Sequence, residues 1–195
     1  MAQAQSTIKT QQFLRIHYLE VSLDRDLDRY APLAEGLFDW TSATIASSEE
    51  DERGLFLSDV IMFRPFIGME VGYAYLGDYS TYLAGPDRSY KIVQKLHALE
   101  AGLYLSWRWK LISIFARGGL STYEDKAELV DLHPNDPPAV TNPLSSWRER
   151  DHDHYYGGGL EIHIDDSWSA SLQYEKLGLG ELDSSFWSGG LSYRF

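Results

Sequence analysis

Read back from its C-terminus, the chain resolves into stretches of about ten residues in which large apolar side chains alternate with small or polar ones, the period of a β-strand with two unlike faces. In residues 186–195, Trp187, Gly189, Leu191, Tyr193 and Phe195 share one face, and Ser188, Gly190, Ser192 and Arg194 share the other. Residues 168–177 set Trp168, Ala170, Leu172 and Tyr174 against Ser169, Ser171, Gln173 and Glu175. Residues 155–164 set Tyr156, Leu160, Ile162 and Ile164 against Gly157, Gly159, Glu161 and His163. The pattern continues in 111–123, where Phe115 is the one large apolar residue on the polar face, and in 97–107 and 66–76. It is weaker in 54–63 and 13–23. These segments predict about eight strands, the smallest usual number for a transmembrane up-and-down antiparallel β-barrel. Residues 1–12 are then an N-terminal tail, and 13–195 form one domain.

The connections alternate in length. Arg64 and Pro65, residues 108–110 and residues 165–167 are tight turns; residues 24–53, 77–89, 124–154 and 178–185 are longer and read as loops. Short turns face the periplasm and long loops face outward in such barrels, so both termini are expected on the periplasmic side. Asn135-Asp136-Pro137-Pro138 and the acidic run 47–53 read as loop, because proline lacks a ladder donor and like charges repel.

Composition agrees with a barrel. Hydrophobic residues make up 44% of the 195 residues and aromatics 14%, including 13 Tyr and 6 Trp, yet mean hydropathy is only -0.33. A polar lumen with an aromatic rim gives that combination. No apolar run is long enough for a transmembrane helix. A net charge of -12 argues against a nucleic-acid surface, and the absence of cysteine excludes disulfide or thiol chemistry. The first residues carry no basic, apolar signal pattern, so the start is expected to be a mature or engineered one. In this register Trp107, Trp168, Tyr193 and Phe195 lie near the short-turn ends, while Tyr75, Tyr156, Tyr174 and Trp187 lie near the long-loop ends, as two aromatic girdles. Leu103, Leu160, Ile162, Leu172 and Leu191 belong to the lipid-facing band between them.

The stretch from Pro65 through Glu70, Gly72, Tyr73 and Leu76-Gly77 resembles the third strand of the OmpA-like outer-membrane barrel family. Ala116-Arg117-Gly118-Gly119-Leu120 is similar to its fifth, Tyr156 to Glu161 with Asp166-Ser167-Trp168 and Leu172 to Glu175 to its sixth and seventh, and Gly190 to Phe195 to its last. The resemblance covers the chain from about Pro65 onward. It implies an outer-membrane location in a Gram-negative bacterium, contact with membrane lipid and lipopolysaccharide, and recognition of the final strand by the barrel insertion machinery. Leu191, Tyr193 and Phe195 are the expected assembly signal. The peptidoglycan-binding domain that some members append has no counterpart in these residues.

Candidate chemistry lies on the inward face, at Glu70, Glu100, Arg117, Glu161, His163, Glu175 and Arg194. In a lumen this narrow such charges must pair, so a structural plug is expected and a gate is the alternative. Glu161, Glu175 and Arg194, on neighbouring strands, are expected to form one cluster. The run Arg150-Asp151-His152-Asp153-His154 offers imidazoles and carboxylates, but on a loop nothing would fix a metal geometry, and residues 24–28 and 49–51 lack the spacing of a calcium loop. No metal or other cofactor is expected. No nucleophile, base and orienting carboxylate stand together in sequence, so catalysis is not expected. The reading is a monomeric barrel with a structural or surface-interaction role. A narrow diffusion pore and a soluble lipocalin-like carrier, whose apolar face would point inward, remain alternatives.

Overall fold

The computed structural model describes residues 10–24, 44–50, 53–84, 89–131, 145–179 and 182–195. Among them are nine strands: β1 (Gln11–Asp24), β2 (Thr44–Glu50), β3 (Arg53–Arg64), β4 (Ile67–Ala84), β5 (Ser89–Trp109), β6 (Ile112–Asp131), β7 (Ser145–His163), β8 (Trp168–Leu179) and β9 (Leu182–Arg194). β5 pairs with β4 along one edge from Ile67 to Ala84, while β3 and β2 share the other edge end to end. They act as one stave, so eight antiparallel staves close into a ring through the pairing of β1 with β9. Closure satisfies every ladder donor and acceptor within the ring, which lets a polar backbone cross hydrocarbon.

The alternation decides the two faces. Leu172 is 54% exposed and its neighbour Ser171 8%. Leu103, Leu160, Ile162 and Leu191 are likewise outward, whereas Ser113, Arg117, Gln173 and Glu175 are buried within the ring. The outward apolar band runs, for example, over residues 99–107 of β5, close to the length a tilted strand needs to span a bilayer. Trp168, Tyr193 and Phe195 meet in series at the short-turn end, tilted and then edge on, with ring centroids 4.9 and 5.0 Å apart. Tyr174 and Trp187 meet at 5.2 Å at the other end. The inverse arrangement expected of a lipocalin-like carrier is not what these faces present.

Three expectations are corrected. First, residues 44–50, 77–84, 89, 124–131, 145–154, 178–179 and 182–185, all within stretches read as loop, are strand, and so are residues 90–96, which the alternation assigned to neither strand nor loop. Above the apolar band the pattern inverts: Tyr79, Leu83, Tyr90, Ile92, Ala127 and Leu129 are buried inside the ring, and Lys91, Lys95, Lys126, Arg148 and Arg150 lie on the outer face. On β4 the change of regime coincides with a bulge between Tyr75 and Asp78, where Gly77 adopts φ 107°, a conformation that costs a glycine little. Second, Glu49 and Glu50 of the acidic run belong to β2, whose backbone pairs with Tyr79 and Ser80; the backbone ladder overrides the local charge repulsion. Third, residues 150–154 lie on β7. The Asn135 to Pro138 segment, residues 1–9 and residues 25–28 lie outside the described residues.

Candidate functional site in the barrel lumen

Midway along the barrel, β6 places Arg117 on the axis. Its guanidinium reaches Glu70 of β4 at 2.8 Å, Glu175 of β8 at 2.6 Å and Glu100 of β5. All four side chains are fully buried. One side chain thus ties four staves together. Arg15 of β1 adds a fifth: it donates to Glu70 at 3.3 Å and to Gln173 at 3.2 Å, and the Ser58 hydroxyl donates to the same Glu70 oxygen at 2.6 Å. His17 of β1 bridges Ser188 and Ser171, each at 3.1 Å.

Aromatic rings lie against both guanidinium groups. Arg117 lies 4.4 Å from the Phe56 ring centroid and 4.8 Å from that of Tyr155. Arg15 lies 4.6 Å from Phe115, which stacks on Tyr104. Such contacts stabilise a desolvated cation that would otherwise be costly to bury. Gly72 makes room for one of them, since a Cβ there would meet the Phe56 ring at 2.5 and 2.6 Å. Beyond this layer, toward the long-strand end, the interior turns apolar, with Leu19, Leu76, Leu96, Leu177 and Phe186 packed together.

The inward residues singled out from sequence therefore divide. Glu70, Glu100, Arg117 and Glu175 meet. Glu161, His163 and Arg194 lie nearer the short turns, around a cavity of about 60 Å³ that also touches Arg15, Tyr104 and Ser113. Glu161, Glu175 and Arg194 do not form one cluster, because each is satisfied elsewhere: Glu161 accepts from Ser169, Glu175 pairs with Arg117, and Arg194 donates to the Asp166 carbonyl. Ser113 and His163 are 2.7 Å apart, a pair separated by 50 residues that no local motif could reveal. Ser113 is 1% exposed. On β7, His152 contacts the Thr122 hydroxyl at 2.8 Å and His154 lies 3.5 Å from Asp153, and among the described residues no three ligating side chains converge on a metal position. Arg15 and His17 were not anticipated. Their signal was present in the alternation with Leu14, Ile16 and Tyr18, but Leu19 and Val21 continue the inward face as apolar residues and blur it.

A ring of antiparallel strands with an apolar outer band, aromatic girdles and a charged axis defines a transmembrane β-barrel. The chain belongs to the outer membrane protein beta-barrel domain family, whose model matches residues 36–195. Among solved structures, the attachment invasion locus protein Ail of Yersinia pestis is similar with a TM-score of 0.56 at 14% identity, covering 95% of this chain and 98% of that one. Neisserial surface protein A gives 0.53 at 10% identity over 94% and 97%. OprG from Pseudomonas aeruginosa gives 0.51 at 10% over 95% of each. No curated protein matches the sequence significantly.

Proposed function

We propose that this barrel is a monomeric outer-membrane surface protein whose lumen is plugged, with both termini in the periplasm, the long strands β4 to β7 projecting from the cell, and no catalytic role. The observation that supports the reading is the Arg117 layer: a fully buried guanidinium held by Glu70, Glu100 and Glu175, with the Phe56 and Tyr155 rings against it. A closed lumen puts function on the outer surfaces. The projecting wall supports that assignment: on β4, β5 and β6 its inner face buries Tyr79, Leu83, Tyr90, Ile92, Ala127 and Leu129, while its outer face carries Lys91, Lys95, Lys126, Arg148 and Arg150, a polar surface suited to contact with lipid headgroups, saccharides or a host surface. The similar Ail barrel has been solved in complex with the heparin analogue sucrose octasulfate. Burial of Ser113 withholds the Ser113 and His163 pair from substrate. Purified protein in planar bilayers tests the plug. No steady single-channel steps are expected at neutral pH, and large, stable steps from monomer would establish the diffusion-pore reading instead.

A further inference from the structure

On the short-turn side of the Arg117 layer, the cavity of about 60 Å³ has two unlike sides. β1 and β3 contribute Phe13, Val60 and Met62. Val60 and Met62 pack with Tyr104 and Phe115 as one apolar cluster, and Phe13 lies against it. Across the ring, β6 and β7 contribute Ser113, Glu161 and His163. Arg15, one inward position deeper than Phe13 on β1, forms the inner end, with its guanidinium held by Glu70 and Gln173. Arg108 and Arg194 stand at the mouth, as the last inward positions of β5 and β9. Gln11, Pro65 and Arg108 are exposed, so the cavity reaches the surface.

Charge sets the sign of what fits. Three guanidinium groups and one carboxylate line the space. Arg15 is spent on Glu70 and Gln173, but the two at the mouth are not spent on acids. Arg108 donates to the Lys110 carbonyl at 3.2 Å and Arg194 to the Asp166 carbonyl, and among the described residues neither meets a carboxylate. The neighbouring acids are engaged elsewhere: Glu161 accepts from Ser169, and Asp165 accepts from the N–H groups of Ser167 and Trp168. A guanidinium bonded only to carbonyl oxygens keeps its full charge, and two such groups flanking one opening attract an anion.

Size sets the rest. A space of about 60 Å³ equals roughly two waters at ~30 Å³ each, or an aliphatic chain of about three carbons. Beyond it, the Arg15 and Glu70 pair blocks any longer chain. The apolar cluster lies inward of the two arginines, so an occupant enters tail first and leaves its charged end at the mouth.

We infer that this cavity binds a carboxylate carrying a small aliphatic body, with Arg108 and Arg194 on the carboxylate and Phe13, Val60 and Met62 around the aliphatic part. A free short-chain acid and the C-terminal carboxylate of a peptide ending in a small apolar residue share this chemistry. With the short turns periplasmic, as proposed above, the site faces the periplasm and is separate from the projecting wall. Binding in solution does not depend on that orientation.

Methionine methyl groups supply the test. Met62 lines the cavity, whereas Met69 faces outward and is 50% exposed, so the second is an internal control. Purified full-length barrel with ¹³C-methyl methionine is titrated in detergent at neutral pH with butyrate, the free-acid probe, and N-acetylalanylalanine, the peptide-terminus probe. Butyramide and N-acetylalanylalanine amide are their uncharged counterparts. The Met62 resonance should move saturably with at least one carboxylate and with neither amide, while Met69 stays in place; the tighter carboxylate identifies the source. Arg108→Gln and Arg194→Gln should each weaken binding about fivefold, the upper end for one exposed ion pair, and Glu161→Gln, which removes the one repelling charge, should strengthen it. Heat-modifiable migration on a gel reports that each variant is folded. No saturable Met62 shift with either carboxylate would mean that the cavity holds water only and would overturn the site. Equal shifts from the amides, or unchanged affinity in both arginine variants, would overturn the assignment of an anion to the mouth.

Discussion

Arg117 and Arg194 were equivalent inward cations in the sequence, and the structure separates them. Arg117 is fully buried among three carboxylates, whereas Arg194 sits at the rim with a carbonyl partner. Removing one partner of a buried ion pair strands the others, so Arg117→Ala is expected to cost about 3 to 5 kcal/mol. Arg194→Ala should cost no more than about 1 kcal/mol, the loss of one hydrogen bond; urea unfolding in lipid vesicles measures both. Asp165 supplies a pH handle at the β7 to β8 turn, where its carboxylate accepts from the backbone N–H groups of Trp168 and Ser167, both at 2.7 Å. These bonds hold its pKa below the usual value. A depressed folded pKa means the unfolded state binds the proton more readily, so this stability is present above the ordinary carboxyl pKa and is lost as pH falls through the folded value. Asp165→Asn should flatten the dependence of the unfolding midpoint on acid pH, and an unchanged slope would place the pH dependence elsewhere.

At the scale of elements, the centres of all eight staves were legible because hydrocarbon imposes one rule on every outward position. The extensions of β4 to β7 were not, for a physical reason. On β5 the outward residues are odd-numbered throughout, yet the apolar set moves from Leu99, Leu103 and Leu105 in the band to Tyr90, Ile92 and Leu96 above it. Outside the bilayer the strand obeys the rule of a water-soluble sheet, apolar in and polar out. A scan for one continuous phase therefore stops at the membrane boundary. The final stave raises a separate question. Phe195 is 73% exposed, its N–H donates to the Gln12 carbonyl at 3.1 Å, and its ring meets Tyr193 edge on. If Leu191, Tyr193 and Phe195 are read by the insertion machinery before closure, deleting Phe195 should sharply reduce insertion in cells and leave detergent refolding nearly intact. Equal loss in both assays would assign Phe195 to stability, as an ordinary interfacial anchor.

For the whole molecule, the ring brings together polar groups far apart in sequence: Arg15 meets Glu70, 55 residues on, and Gln173, 158 residues on. Which inward charges would meet was therefore only half legible: the faces follow from alternation, but the heights follow from strand stagger, which alternation does not encode. Stagger lifts Glu175 to the level of Arg117 and leaves Glu161 and Arg194 near the short turns. Everything proposed for the lumen and the outer wall depends on the assignment of faces, and the absence of cysteine makes that assignment directly measurable. Nitroxide labels on Leu172→Cys, Leu103→Cys and Leu160→Cys, compared with Ser171→Cys, report collision with oxygen dissolved in the bilayer. High oxygen access at the three leucine positions and little at Ser171 is the expected result; comparable access at Ser171, or protection of the leucines, would contradict the barrel as described.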